Sequence, residues 1–243
     1  MARIISRSTV FRSLACTAGL LAACAPSPQT PAPTAPNPTP SPAVADVRIV
    51  VLGDSLAAGL GLAEADAFPA LLERLLRDNG HAVEVVNAGV SGDTSAGGLS
   101  RVDWVLQQPT DILVVELGGN DALRGQDLEN TESNLRQIVR RGSASGARVL
   151  LLGMDVPTNY GPDYSLGFSE MYERIASEEG ATLVPAFVRE VGMDPTLLQA
   201  DGLHPTAEGQ LRLAEILAPH LEGTLSGDDF TFSSDASNLL QEN

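Results

Sequence analysis

The chain has 243 residues, 43% of them hydrophobic and 19% charged, which is enough apolar material for one domain with a substantial core. No apolar run reaches the ~20 residues of a membrane-spanning helix, and a formal charge of −16 argues against a nucleic-acid partner, whose phosphates it would repel. All 15 basic residues are arginine; without lysine there is neither a Schiff-base mechanism nor a Walker-type phosphate loop.

Arg3, Arg7 and Arg12 precede an apolar stretch over residues 14–23, the pattern of a secretory signal too short to span a bilayer. It ends in Leu21-Ala22-Ala23-Cys24, which resembles the bacterial lipobox. That resemblance implies cleavage before Cys24 and a diacylated cysteine as the first residue of the mature protein. Cys16 leaves with the signal, so the mature domain has no free thiol and no disulfide. Residues 25–42 hold eight prolines among small polar residues. This is a polyproline-leaning tether of at most about 56 Å at ~3.1 Å per residue.

Residues 48–52, R-I-V-V-L, read as a buried strand ending at Gly53. Phe68, Leu71, Leu72, Leu75 and Leu76 recur at helical spacing, and Asn79-Gly80 stops that helix. Strands are expected over 83–86, 111–117, 149–152 and 182–184. Leu135, Ile138 and Val139 mark one intervening helix and residues 171–175 another; Leu211, Ala214, Leu217 and Leu221 mark the last. Strands alternating with helices imply a parallel sheet covered on both faces. The segment from 223 to 243 is polar, without a basic residue, and is expected to be a disordered tail.

In such a sheet, chemistry gathers at the carboxyl ends of the strands. Five polar strings fall there in order: G-D-S-L at 53–56, N-A-G-V-S-G-D-T at 87–94, G-G-N-D at 118–121, D-V-P-T-N-Y at 155–160 and D-G-L-H-P at 201–205. Ser55 at a strand-to-helix turn can present its hydroxyl as a nucleophile, although a serine or aspartate there also serves as a helix N-cap. His204 is the candidate base and Asp201 its orienting acid. His81 and His220 follow no strand's carboxyl end. Gly92 lets its backbone approach a substrate, and Asn120 carries a neutral amide that cannot act as a base. With the N–H of Ser55 these are the candidate oxyanion donors. Any one of these residues could belong to an ordinary turn; together they match ester hydrolysis.

The strings G-D-S-L, S-G-D-T, G-G-N-D and D-G-L-H-P resemble those of the SGNH or GDSL hydrolases. N-A-G-V-S-G-D-T-S, V-E-L-G-G-N-D-A-L-R-G and N-Y-G are similar to those of the thioesterase I, lysophospholipase and arylesterase branch. The resemblance runs from Arg48 to Leu221. It implies a flavodoxin-like three-layer α/β/α sandwich with a five-stranded parallel sheet in the order 2-1-3-4-5. It also implies a two-step acyl transfer through Ser55, His204 and Asp201, with Asp54 and Asp121 organising their loops. The expected organisation is a lipoprotein signal at 1–23, lipidated Cys24 and tether at 24–45, the SGNH domain at 46–222 and the tail at 223–243. No cluster of histidine, cysteine and acid has metal spacing, so neither metal nor cofactor is expected. The expected product is an exported monomeric lipoprotein held by its lipid alone. It faces the periplasm, and Ala25 after the cysteine favours the outer membrane.

The expected substrates are small acyl esters or thioesters, with Val156, Pro157 and Tyr160 lining an acyl groove. A carbohydrate O-deacetylase is the competing enzymatic reading, weakened by an aromatic content of 4%. A non-catalytic surface lipoprotein is the third.

Overall fold

In the computed structural model, residues 46–156 and 158–226 are described; the signal, Cys24, the tether, Pro157 and most of the expected tail lie outside them. Five strands form one parallel sheet in the order β2-β1-β3-β4-β5: β1 (Val47–Gly53), β2 (Val83–Gly89), β3 (Ile112–Glu116), β4 (Arg148–Leu152) and β5 (Thr182–Val184). The expected order is therefore the observed one. The strand pairings Val51↔Asn87 and Val51↔Val114 align β1 with its two neighbours.

Alternation along β1 sends Ile49 and Val51 to one face and Val50 and Leu52 to the other. On the first face the sheet is covered by α2 (Phe68–Asp78) and α8 (Ala207–Ser226), through Phe68, Leu72, Leu213 and Leu217. The second face is covered by α3 (Ser95–Val105), α5 (Leu128–Ala144) and α6 (Pro162–Glu179), through Val102, Leu135, Ile138 and Met171. Both faces are covered, so the central strands read as continuous apolar runs; β3 is buried at all five positions.

The structure adds three short helices to the expected elements: α1 (Ser55–Ala58), α4 (Gly119–Leu123) and α7 (Arg189–Met193). It also adds the full-length α3, whose S-A-G-G-L-S opening carries too few apolar residues to show a stripe. The Thr94 hydroxyl starts α3 by accepting from the N–H of Gly97. At the other end, α8 continues through Ser226, past the expected boundary at 222. Residues 223–226 therefore belong to the helix and not to a tail.

Candidate active site

Sheet order sets the location. Consecutive connections leave β1 toward β2 and return to β3 on its other side, which opens a crevice at the carboxyl ends of β1 and β3. Ser55 follows β1 and Asn120 follows β3. Asp54 is the N-cap of α1, its Oδ1 accepting from the N–H of Leu56 at 3.0 Å. The capping role open to Ser55 in the sequence thus falls to its neighbour. Ser55 is the first residue of α1, where its own N–H has no intrahelical acceptor.

The Ser55 hydroxyl lies 3.0 Å from Nε2 of His204, and Nδ1 of His204 lies 2.7 Å from Oδ2 of Asp201. Asp201 Oδ1 accepts from the backbone N–H groups of Leu203 and His204 at 2.9 and 3.0 Å. The D-G-L-H spacing therefore makes a tight turn whose aspartate holds both the loop and the imidazole. The imidazole hydrogen bond, followed by the two backbone bonds, keeps the Asp201 carboxyl far below the ordinary carboxylate range. Nδ1 is thus the protonated nitrogen, and Nε2 faces Ser55 as an acceptor. The Ser55 side is 8% exposed.

Asn120 Nδ2 donates to Oδ2 of Asp54 at 2.9 Å, which leaves its second amide hydrogen for another acceptor. Gly92 adopts φ +81°, a conformation that favours glycine, and its carbonyl accepts from Arg124 at 2.7 Å. Asp121 accepts from the backbone N–H and hydroxyl of Ser95, at 2.8 and 2.6 Å. It ties the loop after β3 to the start of α3, the organising role expected of it. His81 and His220 take no part in this cluster. Among the described residues, no group of histidine, cysteine and acid side chains could hold a metal.

Next to the cluster is an apolar cavity of about 630 Å³, lined by Leu56, Met154, Val156, Tyr160, Val191 and Leu203 among others. Leu56, Gly119 and Leu203, which line the cavity, adjoin Ser55, Asn120 and His204 in the chain, so the cavity lies close to the cluster. Of the three residues expected along an acyl groove, Val156 and Tyr160 line the cavity, and Pro157 is outside the described residues. At its rim Arg189 pairs with Asp155 at 2.7 Å.

Sequence reasoning missed three supports. Arg101 donates to the carbonyls of Gly53 and Ala88 and to Asp93, clamping the ends of β1 and β2. Gln210 of α8 accepts from Phe68 N–H and donates to the Leu56 carbonyl, joining α1, α2 and α8. Glu116 accepts from the N–H groups of Asp54 and Ala57 at 3.0 and 3.3 Å while fully buried. Only Glu116 had a legible signal, an acid at the end of an otherwise apolar strand.

Residues 51–212 match the GDSL-like Lipase/Acylhydrolase family. The chain belongs to that family. It is 44% identical over 178 residues to Esterase TesA of Pseudomonas aeruginosa, covering 73% of this chain and 89% of that one. With Thioesterase 1/protease 1/lysophospholipase L1 of Escherichia coli K12 it shares 41% identity over 182 residues, 74% of this chain and 86% of the relative. The crystal structure of the psychrotrophic esterase EstA from Pseudoalteromonas sp., inhibited by monoethylphosphonate, superposes with a TM-score of 0.71 at 31% identity. That match covers 74% of this chain and all of EstA. The chain is thus a carboxylic ester hydrolase of the SGNH/GDSL type.

Proposed function

We propose that Ser55 is the nucleophile of a two-step acyl transfer acting on esters and thioesters with medium-length acyl chains. The observation that carries this is the hydrogen-bonded chain Ser55–His204–Asp201, with an apolar cavity lined by their chain neighbours Leu56 and Leu203. His204 Nε2 takes the Ser55 proton as Oγ bonds to the acyl carbonyl carbon. Asp201 holds the resulting imidazolium. The oxyanion is received by the N–H groups of Ser55 and Gly92 and by the Asn120 amide. Collapse breaks the bond to the leaving group, which takes the proton from His204. Water, deprotonated by the same imidazole, then cleaves the acyl-serine.

Ser55→Ala and His204→Ala should each remove at least ~1,000-fold of p-nitrophenyl ester hydrolysis with the melting temperature unchanged. Ser55→Ala should also abolish fluorophosphonate labelling. A Ser55→Ala variant retaining more than a few per cent of the activity overturns the assignment.

The acyl chain is assigned to the cavity. Each buried methylene is worth about 0.8 kcal/mol, so lengthening an acetyl ester by a few carbons raises kcat/KM many-fold until the cavity is filled. Val156→Asp, which puts a charge against that wall, should depress octanoyl esters more than acetyl esters. Equal loss at all lengths, with acetyl cleaved best by the parent enzyme, refutes the acyl-cavity reading in favour of O-deacetylation.

For the remainder of the chain the proposal is export and lipidation at Cys24. The proline tether then holds a monomeric enzyme off the periplasmic side of the outer membrane. Its support is the L-A-A-C string behind a basic, then apolar, leader. Incorporation of labelled fatty acid that survives Cys24→Ser would refute it.

A further inference from the structure

Glu116 has no place in the acyl transfer just described, yet it lies directly beneath the nucleophile turn. Its side chain is 0% exposed. Oε2 accepts from the N–H groups of Asp54 and Ala57, the residues on either side of Ser55 and Leu56. The turn is built around it: a Cβ on Gly53 would come within 2.5 Å of Oε2. Oε1 is the one buried side-chain oxygen or nitrogen without a hydrogen-bond partner among the described residues. Asp54 is itself 3% exposed and its backbone N–H is bonded to Glu116 Oε2, so two buried carboxyls adjoin at this turn, and the Asp54 side chain acts on the Glu116 carboxyl. Asp54 has spent its own oxygens as acceptors, from Leu56 N–H and the Asn120 amide, so it is suited to be the anion.

We propose that Glu116 and Asp54 form a carboxyl pair that shares a single proton at neutral pH, with Glu116 the protonated member and a positioning residue for the nucleophile turn and, through Asp54, for the Asn120 amide. The inference rests on Ser55 being the nucleophile. Protonation gives the orphaned oxygen something to donate and Asp54 something to accept. It also keeps one negative charge, not two, beneath a site where an oxyanion develops.

The charges around the pair agree with this. Among the described residues, no basic side chain bonds to Glu116, whose partners are the Asp54 and Ala57 N–H groups. Arg101 bonds to the Gly53 carbonyl but is committed to Asp93. His204 favours ionised Asp54, and Asp93 opposes it. Tyr172, packed from α6, donates to the Leu117 carbonyl and is kept neutral by burial first and then by the nearby acids, Asp121 foremost. Burial, and then the Asp54 charge, raises the Glu116 carboxyl well above its ordinary value, whereas burial lifts Asp54 only to about 6.

Glu116→Gln and Glu116→Ala in the purified enzyme separate the alternatives. A glutamine supplies the same acceptor to the two N–H groups and an N–H₂ for Asp54. Its kcat should therefore stay within about threefold of the parent at pH 7, while Glu116→Ala should lose about 100-fold in kcat with KM little changed. Infrared difference spectra at pH 7 should contain a protonated-carboxylic-acid carbonyl band that Glu116→Gln lacks. The proposal is overturned by a glutamine variant no better than alanine, by an alanine variant with near-parental kcat, or by absence of that band. If Glu116→Ala does not fold, Glu116→Leu preserves the volume without the acceptor, and the glutamine spectrum decides the proton independently. Ser55→Ala run in parallel keeps the two readings apart: hydrolysis surviving there would remove the nucleophile but leave the band as evidence on the pair.

Discussion

Two regions of this molecule crowd carboxylates together, and they do so in opposite ways. On the outer seam between α5 and α6, Arg136 contacts Glu132, Glu178 and Glu179, Arg140 grips Glu179 through both Nε and Nη2, and Arg174 reaches Glu132. Beneath the turn that carries Ser55, Asp54 and Glu116 are buried together, and among the described residues no arginine pairs with either. On the seam, hydrogen bonds from Arg140 and then Arg136 pull the Glu179 carboxyl down to about 2. Under the turn, burial pushes both carboxyls up. A paired surface carboxylate costs little to ionise and contributes little. A buried carboxyl without an arginine partner costs stability, and here Glu116 accepts from the backbone of the turn that carries Ser55. The difference separates charge used for cohesion from charge used for position.

Removing Asp54 has the largest expected effect. Asp54→Ala deletes the acceptor that orients Asn120, so kcat should fall by about 100-fold, the scale of losing an oxyanion donor, with KM close to the parent value. Glu179→Gln should leave kcat untouched. An Asp54→Ala enzyme of near-parental kcat would reduce Asp54 to a helix cap.

A second test uses pH, and the two regions carry opposite signs. Asp54 in the folded protein has its pKa raised to about 6 from 3.8. Between those values the folded state holds more protons than the unfolded one, so unfolding free energy falls as pH rises through the window. Glu179, lowered from 4.5 to about 2, contributes stability that is present above the unfolded value and is lost as pH falls through the window. Urea midpoints should therefore show the parent losing stability relative to Asp54→Asn as pH rises from about 4 to above 6. Relative to Glu179→Gln, the parent should lose stability only on acidification below about 4.5. Parallel curves for all three proteins would mean the buried carboxyls are not perturbed.

The same division explains what was legible in the sequence. Central strands are buried on both faces, so β1, β3 and β4 stood out as apolar runs; Ser55 and Asn120 stood out because polar strings end two of those runs, and Asp201 and His204 because D-G-L-H-P precedes the last helical pattern. The supports are another matter. Arg101 and Gln210 sit in helices among ordinary polar residues, and their partners lie 48 and 154 positions away at Gly53 and Leu56. Only folding brings them together. The end of α8 was misjudged because Gly223, Thr224 and Ser226 are weak helix formers. There the Thr224 and Ser226 hydroxyls donate back to the His220 and Glu222 carbonyls one turn earlier, so these polar side chains bond to the helix itself.

The smallest effect belongs to the seam itself. Glu179 touches two arginines and its side chain is 11% exposed, but Arg140 on the other side of the pair is 61% exposed and well solvated. Water screens that arginine, and holding its long side chain in one geometry costs rotamer freedom. Losing the Glu179 charge leaves Arg136 its bonds to Glu132 and Glu178. Glu179→Gln should thus lower the melting temperature by about 4 °C or less in low salt. Added salt should shrink the difference further, because ions screen the exposed side of the network within ~10 Å at 0.1 M. A loss of ten degrees or more, insensitive to salt, would mean the seam behaves as a buried network, and the contrast with the carboxyls beneath Ser55 would have to be abandoned.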